Sequence, residues 1–143
     1  MSEQQYQAEK RKHGRFGGKI LRKQNNRKIG EEKEAFVCEW LEKQGYRIVE
    51  RNFRCRSGEV DIVARENRYL VFIEVKYRKG AECGDPSEAV DYHKQQTISK
   101  VALFYLLRHG YTESTPVRFD VVTVSGTDTA GVMLYRNAFE YCG

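Results

Sequence analysis

No stretch of this chain approaches the roughly 18 consecutive apolar residues that a membrane-spanning helix requires. The N-terminus is polar from its first residues, which leaves no apolar core for a secretory signal and points to the cytoplasm. Cysteine is scarce and scattered. Cys38, Cys55, Cys83 and Cys142 form no C-x-x-C pair, which argues for reduced, structural thiols rather than a zinc site or a disulfide framework. Internal repeats are missing, and so is a glycine-rich phosphate loop, because HGRFGGK precedes no strand-to-helix unit. His93 and His109 have no Ser or Cys at a spacing that suggests a triad. What remains is one soluble domain of 143 residues, 40% hydrophobic and 31% charged, with no small-molecule substrate expected.

Positive charge is present, and it is unevenly placed. Residues 1–29 hold nine basic side chains (Lys10, Arg11, Lys12, Arg15, Lys19, Arg22, Lys23, Arg27 and Lys28) against Glu3 and Glu9, for a net +7. The rest of the chain carries 16 basic and 18 acidic side chains, a net −2. The segment 1–28 is also rich in Gln, Asn and Gly and shows no apolar period, so it reads as a disordered basic arm preceding a folded domain at 29–143. Such an arm suits a nucleic-acid backbone, whose counterions it would displace. A solvated, solubilising tail is the plainer alternative.

Beyond residue 29 the elements follow in a readable order. EEKEAFVCEWLEKQ is a helix with an acidic start, ended by Gly45. YRIVERNFR is a strand, CRSG a turn, GEVDIVAR a second strand and YLVFIEVKYR a third. A long helix is expected over SEAVDYHKQQTISKVALFYLLRH, with Asp85 as N-cap, Pro86 in its first turn and Gly110 beyond its end. Tyr92 and Tyr105 on that helix are expected in the core. PVRFDVVTV is a fourth strand and GVMLYR a weaker fifth. The fold class is α/β, a mixed sheet flanked by helices in the order α-β-β-β-α-β.

Four charged residues fall where apolar ones belong. At 100° per residue Glu34 lies within the apolar arc of Phe36, Val37, Cys38, Trp40 and Leu41, while Glu31, Glu32, Glu39 and Glu42 point the other way. In YLVFIEVKYR, Glu74 and Lys76 share a face with Leu70 and Phe72. If Asn67 and Arg68 form a two-residue hairpin loop, Glu66 pairs with Tyr69 and Asp61 falls opposite Glu74. A three-residue loop would separate the two acids. Opposed carboxylates repel unless a cation intervenes, and oxygen ligands with open positions suit Mg²⁺ or Mn²⁺. A nearby lysine would serve the scissile phosphate or the attacking water, the arrangement of metal-assisted phosphodiester hydrolysis. The alternative is an internal ion network with Lys76 paired to either acid. Glu59 is read as exposed beside a turn, and Asp120 as an ion-pair partner of Arg118's neighbourhood.

The succession of Gly30-x-x-x-Glu34, GYRIVERNFRCRSGEVDIVA from Gly45, LVFIEVKYR, AV-x3-KQ over Ala89 to Gln95, RFDVV at 118–122 and NAF at 137–139 resembles the YraN-like family of small bacterial proteins. That family in turn resembles the restriction-endonuclease-like PD-(D/E)xK nucleases, among them archaeal Holliday-junction resolvases. The resemblance implies a restriction-endonuclease-like core and a Mg²⁺- or Mn²⁺-dependent DNA endonuclease, on branched or single-stranded DNA. It further implies metal ligation by Glu34, Asp61 and Glu74, Lys76 as the motif lysine, and Lys94 and Gln95 beside the site. Lys10, Arg11, Lys12, Arg22, Lys23, Arg27 and Lys28 would hold the DNA backbone, and junction-cleaving relatives suggest a homodimer. Two other readings stand beside it: a nucleic-acid-binding module that cleaves nothing, and an interaction domain built on a structural ion network.

Overall fold

The apolar run Tyr69–Arg78 becomes the central strand of a sheet, with Leu70, Val71, Phe72 and Ile73 all fully buried, so both of its faces are covered. The computed structural model describes the backbone of residues 3–78 and 90–143, and the side chains from residue 22 within those ranges. Its contacts divide into two compact units, Met1–Trp40 and Leu41–Gly143.

The first unit lies on helix α1 (Glu3–Lys43), which runs on across the boundary to its C-terminus. Here the expectation of an irregular arm over 1–28 is corrected. The backbone is helical from Glu3 through residue 28, in a stretch whose Gln, Glu, Lys, Arg and Ala are good helix formers and which contains no proline to stop propagation. Lys10, Arg11 and Lys12 have side chains outside the described residues, while Arg22, Lys23, Arg27 and Lys28 are exposed. Arg27 meets Glu31 one turn on at 3.6 Å. The helix ends as expected at Gly45, with φ of 99°, where the Tyr46 N–H reaches back to the Leu41 carbonyl.

In the second unit the strands are β1 (Arg47–Cys55), β2 (Gly58–Glu66), β3 (Tyr69–Arg78), β4 (Val117–Ser125) and β5 (Val132–Phe139), joined side by side in chain order. Neighbours are antiparallel except β3 and β4, which run parallel and are linked through helix α2 (Tyr92–Arg108). A short 3₁₀ turn at Thr129–Gly131 precedes β5. The α2 face of the sheet holds the apolar core, in which Tyr105 stands edge-on to Phe53 and Phe72 with centroids 5.0 and 5.6 Å away. Tyr92, expected in the core, is instead 63% exposed, because α2 begins there and its first turn projects past the packed layer. The cap is Asp91, whose Oδ1 accepts the Lys94 N–H at 2.8 Å. Asp85 and Pro86 lie outside the described residues. The helix ends at Gly110, with φ of 71°.

Two local features hold β2 in place. Asn67 takes φ of 53°, the left-handed conformation that a two-residue hairpin requires, and Glu66 pairs with Tyr69 as the even loop demands. Gly58, at φ of 145°, passes under α2 so closely that a Cβ there would lie 2.6 Å from the Thr97 methyl. Gly58→Ala is therefore expected to cost about 1–3 kcal/mol in denaturant unfolding, through a combined backbone and overpacking penalty. An unchanged midpoint would show that α2 can retreat freely.

Candidate active site

The β2–β3 pairing runs from Glu66 and Tyr69 to Ile62 and Ile73, so the next residues in register are Asp61 and Glu74. The regular ladder stops at this point. Asp61 Oδ2 accepts the backbone N–H of Val75 at 2.8 Å, a side-chain bond that ties the ends of the two strands together. The Asp61 and Glu74 carboxyl groups lie near enough for each to act on the other's charge. The expected register, and with it the meeting of the two acids, is found.

Their electrostatics follow from that meeting. Burial pushes Glu74 up to about 8, the negative charge of Asp61 adds to the shift, and Lys94 opposes it. Burial raises Asp61 as well, against the Val75 N–H, which lowers it. Both carboxyls are thus harder to ionise than free ones. Two hard oxygen groups side by side are the donor type that a divalent cation takes.

The remaining expected residues divide. Lys76 is exposed, two residues beyond Glu74 on the same strand face, and has no ion-pair partner among the described residues. The cation that does reach the pair is Lys94, whose Nζ is 3.6 Å from Glu74 Oε1. The internal-network pairing assigned to Lys76 thus belongs to a lysine on another element. Gln95 turns its amide to the Val90 carbonyl at 3.0 Å, which fixes the chain entering α2. Glu34 lies on α1 in the first unit and is half-buried, whereas Glu31, Glu32, Glu39 and Glu42 are exposed, as the helical arc requires. Among the described residues no group of three or more His, Cys, Asp or Glu stands together in a ligating arrangement. Glu59 is paired with Arg54 at 2.8 Å on the surface.

A second charged cluster lies on the opposite face of the sheet, and most of it was not expected. Asp120 is fully buried. Its carboxylate accepts from the Arg118 guanidinium at 2.7 and 2.8 Å, from the Tyr46 hydroxyl at 2.6 Å and from the Asn137 N–H at 2.9 Å. The Asn137 bond depends on an irregularity in the β4–β5 pairing, where Asn137 takes φ of 53°. Arg118 and Arg136 both hold Glu66 at 2.8 Å. Hydrogen bonds from Arg136, and then from Arg118, keep the Glu66 carboxyl below its usual range despite burial. Every buried side-chain polar atom described is satisfied, which marks this cluster as scaffold. The pairing of Asp120 with Arg118 is as read from the sequence. A signal for Glu66 was available too, since it ends a strand at a position facing an inner neighbour.

Comparisons with known proteins agree on kinship. The family model described as uncharacterised protein family UPF0102 matches residues 33–124. A UPF0102 protein of Lachnoclostridium phytofermentans is 50% identical over 119 residues, covering 82% of this chain and 98% of its own. Another, from Symbiobacterium thermophilum, is 46% identical over 117 residues, covering 80% of this chain and 98% of its own. Among solved structures, Pyrococcus furiosus SfsA in complex with Ca²⁺ aligns with a TM-score of 0.34 and 16% identity, over 78% of this chain and 62% of that one. That likeness is too slight to carry an argument.

Proposed function

The chain belongs to uncharacterised protein family UPF0102, and from the meeting of Asp61 with Glu74 we propose that it is a Mg²⁺- or Mn²⁺-dependent endonuclease that hydrolyses DNA phosphodiesters. The observation that carries this reading is a pair of half-buried acids that fall opposite one another at the end of a central hairpin, where Asp61 Oδ2 also accepts the Val75 N–H. Two carboxylates held against one another, at a cost in burial and repulsion, are candidates for chemistry. Asp61 and Glu74 would hold the cation. Bound there, it would supply positive charge to a phosphate oxygen. Asp61, anchored by the Val75 N–H, fixes the orientation of the pair. Lys76, exposed and without an ion-pair partner among the described residues, would place an ammonium for the scissile phosphate or the attacking water. The basic residues of α1, Arg22 and Lys23 among them, would contact the backbone without regard to sequence. The cytoplasm and a homodimeric, junction-cleaving form complete the proposal.

The Lys94–Glu74 contact favours one rival, in which these charges form only an internal network. Thermal melting separates the two. Wild type is expected to gain stability in Mn²⁺, by about 2.7 kcal/mol at a hundredfold excess over its dissociation constant, and Asp61→Ala with Glu74→Ala to gain nothing. Equal responses in both proteins would remove the metal site. Where the gain is seen, branched and single-stranded DNA are the substrates to screen, and Asp61→Asn should cut cleavage at least ~100-fold.

A further inference from the structure

Lys94 occupies a place that a metal-binding pair does not need filled by the protein itself. It stands in the first turn of α2, where the Asp91 cap and the Gln95 amide hold the backbone on both sides of it. From that fixed base its ammonium reaches back over the sheet to Glu74 Oε1 at 3.6 Å, and its field acts on Asp61 as well. The two ends of this contact differ in freedom. The Glu74 side chain is 12% exposed, whereas that of Lys94 is 39% exposed. A lysine on a flexible four-carbon stem can withdraw into water at little cost, while the carboxylate cannot follow it. An ammonium and a divalent cation cannot both lie against one carboxylate oxygen without strong repulsion.

We propose that Lys94 is a resident counter-cation of the Asp61–Glu74 site, which a divalent ion must displace in order to bind, so that this lysine sets the metal affinity. The inference rests on the reading of the pair as a metal site. It also separates the two lysines near the pair: Lys76 stays free for substrate, and Lys94 holds the acids in the metal-free protein.

Calorimetric titration of the full chain with Mn²⁺ alone tests this, for wild type, Lys94→Met, Lys94→Gln and Lys94→Arg. The two neutral variants are expected to bind Mn²⁺ about two- to fivefold more tightly than wild type, the scale of one partly exposed ion pair. Lys94→Arg keeps the charge and should bind as wild type does. Unchanged or weaker binding in both neutral variants, with wild type binding measurably, would overturn the counter-cation role and leave the metal site standing. If neither wild type nor any variant takes up Mn²⁺, the metal-site reading fails first, and this inference with it. Two neutral variants of different polarity guard against a folding defect in either one.

Discussion

Arg118→Met is expected to lower unfolding free energy by about 3–5 kcal/mol, because it leaves two acids without their shared cation in a dry layer. The guanidinium is 11% exposed and donates to Asp120, Glu66 and the Tyr46 oxygen at once. Its removal strands Asp120, which is fully buried and can reach no water. Methionine fills much of the same volume, so the loss reports charge and hydrogen bonding rather than a cavity. For a domain stabilised by roughly 5–15 kcal/mol, the change takes a large share of the total and should lower the melting temperature by about 10–20 °C. A double-mutant cycle gives the sharper check. Asp120→Asn added to Arg118→Met should cost less than the two changes summed, since the second change removes the charge that the first one stranded. Strict additivity would mean that the two groups do not depend on one another.

The second large effect is a fall in stability with rising pH, measured in a metal-free, EDTA-containing buffer. Glu74 is raised from its usual 4.5 to about 8 in the folded chain, so folding favours its protonated form. The contribution is complete below about pH 4.5 and is lost as pH climbs through 8, to an extent of up to about 5 kcal/mol. Asp61, also raised by burial, adds to the same slope. Glu66 has the opposite sign: its lowered value stabilises the chain above 4.5, and that benefit is lost as pH falls. Metal-free stability should therefore peak on the mildly acidic side. Glu74→Gln mimics the protonated acid and should remove most of the alkaline decline while leaving the acid limb. A variant that declines in parallel with wild type would assign the slope to other groups.

Much of this site was legible because it depends on local rules. Asn67 tolerates the left-handed conformation, the even loop follows, and strand alternation then sets Asp61 opposite Glu74, five residues along each strand from the Glu66–Tyr69 pair. Glu34 was legible for a similar reason, since a helical period separates one half-buried glutamate from four exposed ones. What was not legible depends on where separate elements come to rest. No periodicity in the sequence brings Lys94 to Glu74, because the crossover from β3 to α2 decides it. The Glu66 cluster draws Tyr46, Arg118 and Arg136 from three other elements, so its members look like unrelated surface charges when read along the chain. At the start of α2, Asp85–Pro86 and Asp91 both carry capping chemistry, and local preference alone does not choose between them. In residues 1–28 composition suggested disorder, yet a continuous helix needs only the absence of a breaker once it has been nucleated downstream.

The single parallel pairing in the sheet also sets an order of assembly. The β1-β2-β3 meander closes through short turns, whereas β4 reaches β3 only after the whole α2 crossover has been drawn in. Closing that longer loop costs more chain entropy and slows the contacts that depend on it. Asp61 and Glu74 are thus brought together by the fast, local part of folding, while Lys94 arrives with the slow part. During refolding the two acids are expected to face each other before their lysine is in place. Refolding in alkaline, metal-free buffer should accordingly be slowed at the hairpin, and a neutral Glu74→Gln chain should escape that delay.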